Sequence, residues 1–256
     1  MLIASCRNPL RPSQFMDKKD KSFIQWYYIT KVKHILSSPS VIGTGLKRVI
    51  ILVHGFNSDP DTAFGAFASF KNRLDHAFDH HGEGKSSLVI GFSWPSDGHV
   101  LHYYGDLHDA VASAPALNQT IGDVIRQVSV RPIVIAHSMG SEVAMKARYE
   151  SEDSDLTYLI SGDVPRVRFR RGQKYAKNVE SQVVSLYSPH DEVVTFFAQL
   201  ARWWVRAGGA PFVDSPDRFV SYDAEAIHKG EVNHSTYKNS YGIANWIVED
   251  ILARGH

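Results

Sequence analysis

The sequence contains only one cysteine, Cys6, in its 256 residues, which excludes a disulfide within the chain. A lone cysteine fits a reducing compartment, and we therefore expect a cytoplasmic location. Neither a basic segment nor an apolar stretch of useful length precedes Cys6. We accordingly interpret residues 1–6 as mature sequence and not as an export signal.

Long apolar runs and an excess of one charge are also absent. No run approaches the roughly 18 apolar residues that a membrane-spanning helix requires, so we expect no stable membrane insertion. The 28 Lys and Arg residues nearly equal the 27 Asp and Glu residues, which leaves a net charge of +1. Because nucleic-acid-binding domains usually carry a basic excess, this balance argues against a nucleic-acid partner.

The sequence lacks a metal-binding pattern as well. His76, His80 and His81 have helical spacing, and His99 and His102 lie three positions apart. No carboxylate or cysteine stands at a metal-ligand spacing from either group. We interpret these histidines as solvated surface residues and expect no metal site.

Apolar runs of strand length alternate with segments of helical periodicity along most of the chain. Continuous runs such as residues 48–53 are typical of central parallel strands buried on both faces. Residues 1–5 and 23–29 are expected to form an antiparallel N-terminal edge. The pattern predicts an α/β fold with a doubly wound, mostly parallel sheet and helices on both faces. Further strands are predicted at 87–92, 133–136, 156–160 and 182–187. Helices are predicted at 62–76, after residue 140 and at 235–254, and residues 106–128 are predicted to form one or two helices with an interruption near Pro115.

The length of 256 residues is compatible with one such domain. We therefore predict a single domain over residues 1–256, with room for a small cap or insertion within residues 192–232. Ligand sites of doubly wound sheets lie at the carboxyl ends of the strands. The chemistry should be sought at the turns that follow the predicted strands.

One such turn carries a candidate nucleophile. The apolar run 133–136 breaks at His137-Ser138-Met139-Gly140 into a helix-favouring segment. This strand, turn and helix match the nucleophile elbow, in which a strained turn projects a serine hydroxyl from the strand end. Ala136 stands where the elbow pattern usually has its first glycine. Ser138 is the candidate nucleophile, and the alternative is an ordinary turn with a buried serine.

A serine nucleophile needs a base and a carboxylate that orients the base. Asp191 follows the predicted strand 182–187, and His234 precedes the final helix. Asp163, after the strand 156–160, is the alternative acid, expected otherwise to cap a loop. His228 is the alternative base.

The chain resembles the α/β-hydrolases, whose nucleophile, acid and histidine follow in this order. It resembles more narrowly a bacterial α/β-hydrolase family of largely unknown function, over about residues 1–200. The motifs that carry the resemblance are His54-Gly55-Phe56-Asn57, Phe92-Ser93-Trp94-Pro95-Ser96 and His137-Ser138-Met139-Gly140.

The resemblance implies an oxyanion hole made by the backbone N–H groups of Phe56 and Met139. It also implies substrate-binding roles for His54, Trp94 and His137, with His54 organising its loop. Trp94 is expected to line one wall. Four aromatic residues between the candidate acid and base are expected in a cap or in the core: Phe196, Phe197, Trp203 and Trp204.

We therefore predict a serine esterase that cleaves small-molecule carboxylic esters through an acyl-enzyme intermediate and needs no cofactor. The alternatives are a lipase, thioesterase, acyltransferase or peptidase with the same residues, because the elbow fixes the mechanism and not the acyl group. A catalytically silent binding protein of the same fold is the alternative outside enzymes.

Overall fold

Nine strands form one sheet in the computed structural model, which describes residues 1–8, 14–15, 24–29, 33–36, 42–43, 45–96, 99, 102–151, 153–197 and 204–256. In chain order the strands are Leu2–Ser5 (β1), Gln25–Ile29 (β2), Lys33–Leu36 (β3), Arg48–Val53 (β4), Ser87–Ser93 (β5), Ile133–His137 (β6), Leu156–Ile160 (β7), Gln182–Tyr187 (β8) and Phe219–Asp223 (β9). Their order across the sheet is β3-β2-β1-β5-β4-β6-β7-β8-β9. The predicted α/β-hydrolase fold is confirmed.

The antiparallel edge differs from the prediction in its strands. β1 pairs antiparallel with β2, as expected, but it pairs parallel with β5 on its other side. β1 therefore belongs to the parallel body of the sheet. The edge is the hairpin of β2 and β3, and β3 was not predicted from the sequence.

Helices cover both faces of the sheet, because successive residues of each central strand point to opposite sides. In β4, Val49 and Ile51 join one buried cluster, whereas Ile50 and Leu52 join the other. The helices are Pro60–His80 (α1), Tyr103–Ala112 (α2), Ala114–Val128 (α3), Gly140–Glu150 (α4), Lys174–Asn178 (α5), Ala224–His228 (α6) and Tyr241–Ala253 (α7). Residues of α2, α3 and α4 pack on the first cluster, and those of α1 and α7 pack on the second.

Helix ends follow local chemistry. The predicted interruption of residues 106–128 occurs at Ser113, and Pro115 lies in the first turn of α3, where its missing N–H costs no helical hydrogen bond. α7 begins later than predicted, because the Ser240 side chain caps it by accepting a hydrogen bond from the Ile243 N–H. Among the described residues, no helix combines the length and apolar character that a membrane crossing requires.

The interval 192–232, where the sequence leaves room for a cap, contributes partly to the sheet. Its residues 219–223 form the edge strand β9, which pairs parallel with β8. The short helix α6 follows directly and is capped by Asp223, whose carboxylate accepts hydrogen bonds from two backbone N–H groups. The sheet therefore extends one strand beyond β8.

We predict that Cys6 does not react with thiol reagents while the protein is folded. The residue is fully buried, and burial raises the pKa of its thiol to about 12. Because the thiolate is the reactive form, neither access nor ionisation favours reaction near neutral pH. An Ellman assay should therefore detect no thiol in the native protein and one thiol after unfolding in guanidinium. Rapid labelling of the native protein would contradict this prediction.

Candidate active site

Ser138 lies on a strained turn between β6 and α4. Its φ is +53°, in the left-handed region that residues other than glycine rarely adopt. The turn passes very close to the end of β4. A Cβ on Gly140 would lie 2.3 Å from the His54 carbonyl oxygen, and a Cβ on Gly55 would lie 2.7 Å from the Ser138 Cβ. Both positions therefore require glycine, and the turn has the geometry of a nucleophile elbow.

The side chains of Ser138, His234 and Asp191 form a continuous hydrogen-bonded series. His234 Nδ1 lies 2.9 Å from Asp191 Oδ2 and 3.1 Å from Oδ1, and His234 Nε2 lies 2.8 Å from Ser138 Oγ. A carboxylate only accepts, so Nδ1 carries the proton and Nε2 accepts from the serine hydroxyl. This is the arrangement in which an imidazole can remove the proton of a serine.

Asp191 is fully buried at the end of the loop that follows β8. Its Oδ1 accepts hydrogen bonds from the Val193 N–H at 3.1 Å and the Val194 N–H at 3.4 Å. Its backbone carbonyl accepts hydrogen bonds from the backbone N–H and the hydroxyl of Thr195. The carboxylate is therefore fixed by its own loop and faces His234.

His137 holds the backbone of the loop that carries His234. Its Nε2 lies 2.9 Å from the His234 carbonyl oxygen, so Nε2 is the protonated nitrogen. The ring stacks on Tyr237 at a centroid distance of 4.1 Å. Burial, with the nearby His234 as the next cause, holds the pKa of His137 well below its usual value. His137 is therefore a neutral hydrogen-bond donor at neutral pH.

Two backbone amides lie beside Ser138 and fit an oxyanion hole. Phe56 follows Gly55 in the loop after β4, and Met139 precedes the first turn of α4, where backbone N–H groups point toward solvent or a ligand. Among the described residues, neither the Phe56 N–H nor the Met139 N–H donates a hydrogen bond. Both donors are thus available to an anionic oxygen.

A cavity of about 560 Å³ opens at Ser138. This volume is in the range of small-molecule sites. Of the residues with predicted substrate-binding roles, His54 and His137 line it, together with Phe56. The other lining residues are Gly55, Asn57, Ser58, Thr62, Ala66, Tyr103, Ser138, Asp163, Val193, Val194, His234, Ser235, Tyr237 and Lys238.

Trp94 does not line the cavity, which corrects the prediction. Its indole is fully buried and stacks on the His54 ring, with centroids 5.0 Å apart and planes 3° apart. The stack places Trp94 behind His54, on the core side. Of the four aromatic residues predicted for a cap or the core, Phe196 and Trp204 are 61% and 55% exposed and border no part of the cavity. Trp203 and the side chain of Phe197 lie outside the described residues.

The two alternative residues have other partners. Asp163 Oδ1 lies 3.0 Å from Arg206 Nε, and its Oδ2 accepts a hydrogen bond from the Tyr103 hydroxyl at 2.6 Å. Asp163 and Arg206 are both buried, so the expected loop cap is in fact a buried ion pair. His228 Nδ1 lies 2.8 Å from Ser240 Oγ. The Asp163 backbone N–H donates a hydrogen bond to the Ser138 carbonyl oxygen at 3.0 Å, but the carboxylate that contacts His234 Nδ1 is that of Asp191.

Sequence reasoning missed Arg7, Tyr103 and Arg206. Arg7 is 3% exposed and contacts the His54 ring from the end of β1. The signal for Arg7 is its position, because a charged residue directly after an apolar strand lies at the carboxyl edge of the sheet. Tyr103 reaches the cavity from α2, and its sequence context gives no comparable signal. The described residues contain no group of three or more His, Cys, Asp or Glu side chains arranged to hold a metal ion.

Comparison with known families gives one match that covers most of the chain. The family described as "Alpha/beta hydrolase of unknown function (DUF900)" matches residues 36–208. A relative, the uncharacterized protein alr1448 of Nostoc sp. (strain PCC 7120), is 34% identical over 113 residues. That similarity covers 38% of this chain and only 29% of the relative's length.

Solved structures share the fold at low sequence identity. TT1662 from Thermus thermophilus has a TM-score of 0.55 at 10% identity, over 91% of this chain and 94% of its own. Esterase PE8 has a TM-score of 0.51 at 15% identity, over 81% of this chain and 94% of its own. At these identities the likeness concerns the fold alone.

Proposed function

The chain belongs to the α/β-hydrolase family of unknown function whose model matches residues 36–208, and from this premise we propose that it is a serine hydrolase of small-molecule carboxylic esters. The observation that carries the proposal is the unbroken hydrogen-bonded series from Ser138 through His234 to Asp191. A catalytically silent relative would have no need for a strained serine in contact with an oriented imidazole. The esterase name of one structural neighbour is in keeping with this class.

In the first half of the reaction, Ser138 Oγ attacks the carbonyl carbon of the ester while His234 Nε2 takes the hydroxyl proton. Asp191, buried and bonded to Nδ1, stabilises the resulting imidazolium. The carbonyl oxygen becomes an oxyanion. The N–H groups of Phe56 and Met139 bind this oxyanion from two sides.

In the second half, the tetrahedral intermediate expels the alcohol, which takes the proton from His234 Nε2. The acyl group stays on Ser138 as an ester. Water then loses a proton to Nε2 and attacks the acyl carbon, and collapse returns the proton to Ser138 Oγ and releases the carboxylic acid. The proton transfers balance on one imidazole, so the proposed reaction requires no cofactor.

Apolar side chains from separate segments line the cavity around Ser138: Phe56, Ala66, Tyr103, Val193, Val194 and Tyr237. Such a wall favours apolar acyl or alkyl groups, because their transfer from water is favourable. A small neutral ester is therefore the proposed substrate class. No nucleic-acid partner is proposed, since the binding surface is a cavity of small-molecule size.

We predict that short-to-medium acyl esters are cleaved faster than acetate. Each added methylene in an apolar pocket contributes about 1–3 kcal/mol of discrimination until the pocket is filled. The value of kcat/KM for p-nitrophenyl butyrate should therefore exceed that for p-nitrophenyl acetate by at least about 10-fold. Steady-state kinetics with the acetate, butyrate and octanoate esters would measure this dependence.

The same series should be run with Ser138→Ala to subtract hydrolysis that does not involve the candidate nucleophile. Peptide anilides give the comparison with amide substrates. A rate that does not change with chain length would remove the argument for an apolar acyl site. Faster cleavage of the anilides would favour a peptidase instead.

A further inference from the structure

The Arg7 guanidinium contacts the loop that carries the Phe56 N–H at two points, one before and one after Phe56. Arg7 lies two residues beyond the end of β1 and is buried. Its Nη2 lies 2.9 Å from His54 Nε2 and donates a hydrogen bond to the Ser58 carbonyl oxygen at 2.7 Å. One nitrogen thus contacts residues on both sides of Phe56. Between them, Asn57 has a φ of +56°, so the loop turns sharply between the two contacts.

The same guanidinium is anchored to the last residue of β5 and to the segment that follows it. Arg7 Nε donates to Ser93 Oγ at 2.7 Å, and Nη1 donates to the Ser96 carbonyl oxygen at 2.8 Å. Ser96 Oγ accepts a hydrogen bond from the Ser58 N–H and donates one to the buried carboxylate of Asp106. Burial lowers the pKa of Arg7 to about 10, so the guanidinium stays charged at neutral pH. Its donors therefore fix the loop against β1 and β5 together.

The partners of His54 admit only one neutral tautomer. Its Nδ1 lies 2.8 Å from the Gly55 carbonyl oxygen, which can only accept, so Nδ1 carries the proton. Its Nε2 contacts Arg7 Nη2 and the backbone N–H of Trp94, which can only donate, so Nε2 is the acceptor. Burial, followed by the charge of Arg7, holds the pKa of His54 well below its usual value. All three contacts of the ring are consistent with a neutral imidazole that is protonated at Nδ1.

The bond to Gly55 determines where the next amide points. In a planar trans peptide the C=O and the following N–H lie on opposite sides. Because His54 Nδ1–H holds the Gly55 carbonyl oxygen, the Phe56 N–H of the same peptide points away from the His54 ring. Rotation of the Gly55–Phe56 peptide would break the hydrogen bond between His54 Nδ1 and the Gly55 carbonyl oxygen, and it would change the direction of the Phe56 N–H.

We propose that Arg7 is a positioning residue for the oxyanion hole: it fixes the His54 tautomer and ring, which in turn fix the direction of the Phe56 N–H. The inference rests on the proposed serine hydrolase function. It goes beyond that function because Arg7 itself does not line the cavity and contacts the wall only from behind, through His54 and Ser58. Arg7 acts through two intermediates, the imidazole and the Gly55–Phe56 peptide.

The test is Arg7→Lys, which keeps the positive charge but replaces three nitrogens in a rigid fork by one. A single ammonium cannot reach His54, Ser58 and Ser93 together. We expect kcat for p-nitrophenyl butyrate to fall by about 10²-fold, the lower end of the effect of removing one oxyanion donor. KM should change little. Affinity for a trifluoromethyl ketone, which forms a hemiketal oxyanion with the serine, should fall by a similar factor.

Arg148→Lys is the matched control. Arg148 is equally buried, lies at the far end of α4 and donates to Ser154 Oγ at 2.6 Å. Both variants lose a buried guanidinium, so both should lower the melting temperature. Only Arg7→Lys should lower kcat. An unchanged kcat in folded Arg7→Lys, or a loss that merely matches the Arg148→Lys variant, would overturn the proposal.

A measurement on the wild-type protein keeps the proposal testable if Arg7→Lys does not fold. Nitrogen-15 NMR of histidine-labelled protein should show, besides His234, a ring that is protonated at Nδ1 and unprotonated at Nε2, and the signals of this ring should be absent from the spectrum of His54→Gln. The opposite tautomer would overturn the proposal. A wild-type protein that neither cleaves esters nor forms an adduct at Ser138 would instead contradict the proposed function, whatever the tautomer.

Discussion

Replacing Ser138 with alanine should remove covalent labelling by a fluorophosphonate and reduce ester turnover by on the order of 10⁵- to 10⁶-fold, the effect of this substitution in serine hydrolases with a triad. The reason is that the hydroxyl bonded to His234 Nε2 is the only atom the substitution removes. The elbow geometry comes from the backbone and from the close approach of Gly140 to the end of β4. The fold and melting temperature should therefore change little.

Ser141→Ala is the matched control for this prediction. Ser141 is fully buried one turn further along α4, and its hydroxyl contacts the Ala136 carbonyl oxygen. Its loss should leave labelling and turnover close to those of the wild-type protein. Mass spectrometry of the digested adduct should place the probe on the peptide that contains Ser138. An adduct on another serine, or persistent labelling of Ser138→Ala, would contradict the assigned nucleophile.

The elements that could be predicted from the sequence are those with a strong local pattern. β4 and β8 have the predicted bounds, because continuous apolar runs between polar turns leave little freedom in register. Ser138, Asp191 and His234 could be named for a related reason: each follows a recognisable strand or precedes a recognisable helix. That the three meet is a consequence of the parallel sheet, which brings strand ends to one edge.

Other parts of the site depend on contacts that no local pattern reports. Trp94 was expected at the cavity wall because the resemblance to the family implied a substrate-binding role for it. Whether its ring faces the cavity or the core depends on its stacking with His54, forty positions earlier. The edge strand β3 was missed because four residues at an edge carry little periodicity. Arg7 was missed because the importance of a buried cation depends on its partners.

The choice between Asp191 and Asp163 was open in the sequence, because each follows a parallel strand. The two carboxylates are now distinguished by what they contact. The Asp191 carboxylate faces His234 Nδ1, and its other hydrogen bonds come from backbone N–H groups of its own loop. Asp163 is engaged by the buried Arg206 and the Tyr103 hydroxyl. The first arrangement fits an orienting carboxylate, and the second fits a structural ion pair.

Asp191→Asn should therefore reduce kcat by on the order of 10⁴-fold, the effect seen when the orienting carboxylate of a triad becomes an amide. The amide oxygen can still accept the Val193 N–H, so the loop should keep its cap, whereas an amide cannot stabilise the imidazolium of His234.

Asp163→Asn is the contrasting variant. Breaking its buried pair with Arg206 should cost about 3–5 kcal/mol of folding stability. Its kcat per active site, counted by fluorophosphonate titration below the melting temperature, should stay close to the wild-type value. A larger loss of kcat in Asp163→Asn than in Asp191→Asn would reverse the assignment of the acid.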